Sequence, residues 1–183
     1  MGQDKALLEL GGEPIILRIA RLVAGVVKAD AMVIGPAALY GRLSLTAVED
    51  DWPGGGPLGG IATALRVSNA EWNLVVACDL PYLTRPWLDF LLARARRTVS
   101  DVVMPINFNG AEPLCAMYHK RCEATVHSAL ENGIRKVTDG LAQLRLESIG
   151  PAEWKPFDPE GYLFKNMNTP ADYEEATQRL GLR

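Results

Sequence analysis

The 183-residue chain predicts an α/β fold with an open, mostly parallel sheet covered by helices on both faces. Three observations predict it. Short β-branched runs alternate with longer helical patterns along the whole sequence. The runs lack a strict in–out alternation, as strands buried on both faces do. Acids and glycines gather just after the runs, at the strand carboxyl ends where such sheets bind ligands.

The strand candidates are 31–35, 45–48, 73–78, 101–105 and 114–118, each too short for a helix. Between them lie helix candidates at 15–28, 58–68, 85–98 and 121–132. In the first of these, Ile16, Ile19, Ala20, Val23 and Val27 recur at three- and four-residue steps and build one apolar face. A last helix over 170–180 has Thr169 as its N-cap, Pro170 at its first position and Gly181 just past its end. No repeat, linker or low-complexity segment divides the chain, so one domain is expected. The front is irregular. A doubly wound sheet normally begins with a central strand, whereas here Asp4 and Lys5 follow a glycine with no strand ahead of them.

Composition removes several functions. Nineteen Lys and Arg stand against 22 Asp and Glu, a net charge of −3, so no general basic surface for nucleic acid or anionic membrane is expected. The most apolar stretch, 72–83, is interrupted by Asp79 and falls well short of a membrane span. The first residues hold no apolar signal region. Cys78, Cys115 and Cys122 are odd in number and form no Cys-x-x-Cys pair. That argues against a disulfide framework or a structural zinc and fits a reducing, cytoplasmic setting.

Chemistry is expected at the strand ends. Asp79 follows the 73–78 strand directly, a placement suited to holding Mg²⁺ beside nucleotide phosphates, although a loop or capping carboxylate would look the same. Glu49, Asp50 and Asp51 follow the second strand and lead into Trp52-Pro-Gly-Gly-Gly-Pro-Leu-Gly-Gly60 at the start of a helix. Such a loop lets the backbone approach a ligand closely and offers a helix N-terminus to an anion. It matches neither the dinucleotide nor the phosphate-loop fingerprint. Lys5 can neutralise phosphate charge, or simply sit in solvent. Asn166 and Asn168, two apart, share one side of an extended segment and can orient a phosphate or merely shape a turn. His119 and His127 have no acid at useful spacing, and no Gly-x-Ser-x-Gly elbow is present.

Taken together, Met1-Gly-Gln-Asp-Lys5, Val48-Glu-Asp50, Gly56-Pro-Leu-Gly59, Cys78-Asp-Leu-Pro81, Glu112-Pro-Leu114 and Asn166-Met-Asn-Thr-Pro170 resemble one family in order and in register. It is the molybdenum cofactor guanylyltransferases, the molybdopterin-guanine dinucleotide biosynthesis protein A group. The resemblance implies a three-layer, Rossmann-like sheet of the nucleotide-diphospho-sugar transferase type. It also implies GMP transfer from GTP to molybdopterin phosphate, with Mg²⁺ required and other cofactor-biosynthesis proteins as candidate partners. Carried over by position, Lys5 resembles the phosphate-contacting lysine and Asp50 the acid on the guanosine side. Gly56, Pro57 and Leu58 resemble the guanylyl-type loop. Asp79 resembles the carboxylate shared by metal and nucleotide, and Asn166 and Asn168 the asparagine pair near the reacting phosphates. Arg135 and Lys136 are candidates for attracting the anionic pterin, or for a solvated basic face. The family signature Leu-Ala-Gly-Gly-x-Ser-x-Arg-Met-Gly-x-Asp-Lys enters this sequence at its Met, which implies a sheet lacking its first strand. Met1 is then expected to be an internal methionine of a longer natural protein, and a chain starting there to bind GTP weakly. The rival readings are a molybdopterin cytidylyltransferase or another nucleotidyltransferase of this fold, and a non-catalytic, truncated paralogue.

Overall fold

The computed structural model describes residues 4–181. In chain order, a 3-10 turn at Lys5–Leu7 precedes α1 (Ile15–Val27), β1 (Met32–Ile34), α2 (Ala37–Tyr40), β2 (Thr46–Val48) and α3 (Gly56–Val67). Then come β3 (Trp72–Val76), α4 (Arg85–Ala95), β4 (Val102–Asn107), β5 (Gly110–Ala111) and β6 (Cys115–His119). The chain closes with α5 (Glu123–Glu131), α6 (Val137–Gly140), β7 (Leu146–Ile149), α7 (Pro151–Trp154) and α8 (Pro170–Arg179).

The first helix behaves as its spacing predicts. Ile15, Ile16, Ile19, Ala20 and Val26 are buried, and Lys28 ends the helix in the left-handed conformation with φ 56°. At the other end, Thr169 and Asp172 form a reciprocal capping box over Pro170 that fixes where α8 starts.

The main sheet runs β3-β6-β4-β5, with β7 beside β4. β6 is antiparallel to both β3 and β4, whereas β7 is parallel to β4. β3, β4 and β7 therefore point the same way and share a carboxyl edge. The expectation of a mostly parallel sheet needs this one correction. The 114–118 run is an antiparallel strand, because the two residues 108–109 turn the chain back at the end of β4 and it continues in that direction through β5 into β6, whereas a parallel crossover needs a dozen or so residues. Side chains leave the sheet in both directions. Val103 and Met117 pack under Trp87, Leu88 and Leu91 of α4. Val102, Met104, Ala116 and Tyr118 pack against Leu58, Ile61 and Leu65 of α3 and Val126 and Leu130 of α5. This is the three-layer arrangement, helix on sheet on helix.

β1 and β2 form a separate parallel ladder, with Met32 opposite Thr46. Between β1 and β3 runs a cleft of about 950 Å³ lined by Val33, Leu74, Val76 and the inner face of α1. All five residues of β3 are only half-buried, whereas the first four of both β4 and β6 are fully buried. A strand with backbone partners on both sides and helices above and below would be as buried as β4. Among the described residues, β3 has a ladder partner on one side only. The main sheet and the β1–β2 ladder are thus separate among the described residues. The cleft opens at the carboxyl edge beside Lys5, Tyr40 and Asp79.

Candidate functional site

Asp79 lies three residues beyond β3 on the carboxyl edge. Its backbone carbonyl accepts from Met167 N at 2.9 Å, which docks the 164–169 segment against it. Met167 is buried while Asn166 and Asn168 are exposed on either side of it, so the two asparagines face the same way, as their spacing implies. Asn168 Oδ1 accepts from Lys5 Nζ at 2.8 Å. Three segments far apart in sequence thus meet at Lys5, Asp79 and Asn168. Asp79 Oδ1 is buried with no hydrogen-bond partner among the described residues. Burial raises the Asp79 pKa, and the Lys5 charge partly offsets that.

Lys5 is held by a local device. Asp4 caps the Lys5–Leu7 turn by accepting from Ala6 N at 3.0 Å, and the Tyr40 hydroxyl donates to the other Asp4 oxygen at 2.7 Å. Met1 to Gln3, the rest of that motif, lie outside the described residues. The Tyr40 contact spans 36 residues, and nothing local in the sequence announces it.

The acidic and Gly-rich loop is built to hold itself first. Asp50 Oδ1 accepts from Trp52 N at 3.0 Å and from the Thr63 hydroxyl at 2.8 Å, tying the end of β2 to α3. Asp51 pairs with Arg66. A Cβ at Gly55 would lie 2.9 Å from the Trp52 carbonyl oxygen, and one at Gly59 would lie 3.0 Å from Trp52 Cβ. Glycine is therefore required at both positions by the Trp52 packing, before any ligand is considered. Gly56 differs. It has φ +60° with open space where a Cβ would be, and it starts α3 with no side-chain cap and no acid in the first turn. Gly56, Pro57 and Leu58 thus form a helix N-terminus without a side-chain cap, just past the carboxyl end of β2.

Glu112 is a site residue whose role the sequence did not disclose. It follows β5 at the same edge, and burial with the nearby Asp79 charge pushes its pKa up to about 7. Asn107 Nδ2 donates to its carboxylate. A Glu-Pro step directly ahead of an apolar strand at the ligand edge was the available signal. Arg135 donates to the carbonyls of Leu130 and Ile134 at the end of α5, and Lys136 pairs with Asp139 at 3.5 Å. Both are engaged in local structure. His119 pairs with Glu71 at the amino end of β3, away from this edge. All three cysteines are free; Cys115 and Cys122 are buried, and Cys78 is half-buried beside the site.

Comparison with known proteins identifies the family. Residues 1–146 match the MobA-like NTP transferase domain. A relative from Pelotomaculum thermopropionicum, described as a probable molybdenum cofactor guanylyltransferase, is 33% identical over 96% of this chain and 85% of its own length. One of the same description from Carboxydothermus hydrogenoformans is 33% identical over 100% of this chain and 91% of its own. The crystal structure of molybdopterin-guanine dinucleotide biosynthesis protein A from Archaeoglobus fulgidus superposes with a TM-score of 0.82. It is 25% identical and covers 98% of this chain and 92% of that one. The Thermus thermophilus 2-C-methyl-D-erythritol 4-phosphate cytidylyltransferase, at 14% identity and a TM-score of 0.69, shares the fold over 97% of this chain and 94% of its own. No helix among the described residues is long and apolar enough to cross a membrane. The match over residues 1–146 and the two relatives at 33% identity place this chain in the MobA-like NTP transferase family.

Proposed function

We propose that the chain transfers GMP from GTP to the phosphate of molybdopterin, using Mg²⁺ and releasing pyrophosphate. The observation that supports this most directly is the meeting of Lys5, Asp79 and Asn168 at one point on the carboxyl edge. In bond terms, an oxygen of the acceptor phosphate attacks the α-phosphorus of GTP. The bond from the α-phosphorus to the bridging oxygen breaks, and pyrophosphate leaves with the electron pair.

The residues present fit a hard cation. Asp79 Oδ1 is buried and unpartnered, and one carboxylate is enough when phosphates and water complete an octahedron. Bound there, Mg²⁺ supplies charge neutralisation on the phosphoryl oxygens. The chain's own groups do the positioning. Lys5, oriented by Asn168, meets the phosphates as a point charge. The start of α3 at Gly56–Leu58 and the Asp50 oxygen not engaged by Trp52 and Thr63 face the guanosine side. Asn166 lies beside Asn168 to orient the reacting phosphates. Holding both reactants in line is the larger part of catalysis in such a site.

Pyrophosphate release is expected when GTP, Mg²⁺ and molybdopterin are supplied together, and not when CTP replaces GTP. Preference for CTP would move the reading to a cytidylyltransferase. Silence with both nucleotides in a folded chain would support the non-catalytic paralogue. Tyr40→Phe tests the support of Lys5. Removing one hydrogen bond to the Asp4 carboxylate is expected to weaken GTP–Mg²⁺ binding about 5- to 10-fold by calorimetry. Unchanged binding would show that Asp4 does not need the tyrosine to hold the turn.

A further inference from the structure

A second cavity, of about 290 Å³, lies beside the tip of the β4–β5 hairpin. It is lined by Asn107, Phe108, Asn109, Trp154, Phe164 and Lys165 together with Gly161. The tip of the β4–β5 hairpin forms one wall, and it carries a residue that turn chemistry does not ask for. Positions 108 and 109 link the paired Asn107 and Gly110, and such links favour Asn, Asp and Gly. Here the first is Phe108, 74% exposed, one of four large apolar side chains that stand out in solvent among the described residues. Its ring is held in place all the same. Trp154 meets it edge-to-face with centroids 5.8 Å apart, and Trp154 Nε1 donates to Ile106 O at 3.0 Å. Phe164 meets Trp154 in turn at 5.4 Å. Lys155, which forms no ion pair among the described residues, places its ammonium 5.4 Å from the Phe108 centroid.

Two walls of the cavity lead back to the reaction centre. Asn107 donates to Glu112, which lies within reach of the Asp79 charge. Lys165 lies two residues before Met167, whose N–H is bonded to the Asp79 carbonyl. We infer that this cavity binds the ring system of the acceptor, a planar nitrogen heterocycle of the pterin class. The ring stacks on Phe108, with Asn109 and Lys155 offering polar partners at its edge while Lys165 is held by Glu175, and its phosphate arm extends past Glu112 toward Asp79. This inference rests on the nucleotidyl-transfer reading and adds to it a place for the second substrate. A volume near 300 Å³ suits a two-ring heterocycle, and an exposed but immobilised aromatic face suits stacking, which tolerates loss of ring substituents.

The test uses 6-hydroxymethylpterin, whose own fluorescence reports binding and which carries no phosphate to engage the Asp79 centre. Binding is measured for the wild type, Phe108→Ala and Asp79→Asn, each with GTP–Mg²⁺ affinity measured separately by calorimetry. Phe108 is exposed, so its replacement is expected to leave thermal unfolding unchanged. The expected result is pterin binding weakened about 10-fold or more by Phe108→Ala, with GTP–Mg²⁺ affinity unaltered. Asp79→Asn is expected to do the reverse, keeping the pterin and losing the Mg²⁺-dependent part of nucleotide binding. Equal pterin binding by wild type and Phe108→Ala overturns the inference, as does a wild type that binds GTP–Mg²⁺ but no pterin. In both of those cases the nucleotidyl-transfer reading stands. A wild type that takes pterin at Phe108 but binds no nucleotide overturns that reading instead and leaves the heterocycle site in place.

Discussion

Replacing Asp79 with Asn is expected to lower nucleotidyl transfer by about a hundred- to a thousandfold while making the protein slightly harder to unfold. Removing a single preorganised electrostatic group from a transfer site costs about 3–4 kcal/mol of transition-state stabilisation. The substitution keeps the shape of the side chain and leaves the backbone bond from Met167 N intact, so the 164–169 segment should remain docked. The sign of the stability change follows from burial. Asp79 titrates above an ordinary aspartate because burial disfavours its charged form, and Lys5 offsets this only in part. At neutral pH the fold therefore carries a cost for that charge, and a neutral isostere removes it. Lower activity with an equal or higher melting temperature is the combination expected of a group kept for function. A variant that lost activity and stability together would mark Asp79 as a structural carboxylate, and undiminished transfer would remove it from the mechanism.

The part of this site legible in the sequence was the part that local pattern encodes. Asp79 was found because it stands at the end of a β-branched run, and in α/β sheets that position has a fixed meaning. The alternation around Met167 placed Asn166 and Asn168 together for an equally local reason. Helices α1, α3, α4 and α5 followed from three- and four-residue apolar spacing, and the start of α8 from its cap. Strand direction is not local. The 114–118 run looks like its parallel neighbours in composition, and only the two-residue turn at 108–109, which sends the chain back from the end of β4, reverses it. β7 escaped because it is a strand at the sheet margin in which Ile149 alone is fully buried, which leaves too little apolar pattern to notice. The contacts that build the site are longer in range still. Tyr40 to Asp4 spans 36 residues and Lys5 to Asn168 spans 163. No spacing rule reaches across such separations. The Gly-rich loop shows the opposite hazard. Its glycines invite a ligand reading, yet Gly55 and Gly59 are already required by Trp52.

The largest loss of stability is expected from Asp101→Asn, remote from the carboxyl edge. Asp101 is 7% exposed and stands just before β4, where the chain ends of three strands converge. One carboxylate oxygen accepts from Arg121 and from Arg145 Nη2 at 3.0 Å. The other accepts from Arg145 N at 2.9 Å and Nε at 3.1 Å. Its carbonyl accepts from His119 N at 2.9 Å, so one residue fastens the end of β6 and the start of β7 to β4. These bonds hold its pKa far below that of an ordinary aspartate, with the Arg145 side chain the largest cause. Asparagine would keep the shape but replace one acceptor by a donor that faces two guanidinium groups. Breaking a buried, bonded ion pair from one side costs about 3 kcal/mol or more, and both arginines reach partly into solvent, so about 3 kcal/mol is the expected loss. For a chain of this length that is a fall of roughly 6–12 °C in melting temperature at pH 7. The pH dependence has a definite sign. A carboxylate with a depressed folded-state pKa contributes fully above its unfolded value, about 3.9, and that contribution fades as pH falls toward the folded value. The melting curves of wild type and Asp101→Asn should therefore lie furthest apart above about pH 5 and draw together below about pH 3.5. A gap that stayed constant across that range would mean that the loss comes from packing, and that the charge on Asp101 holds nothing together.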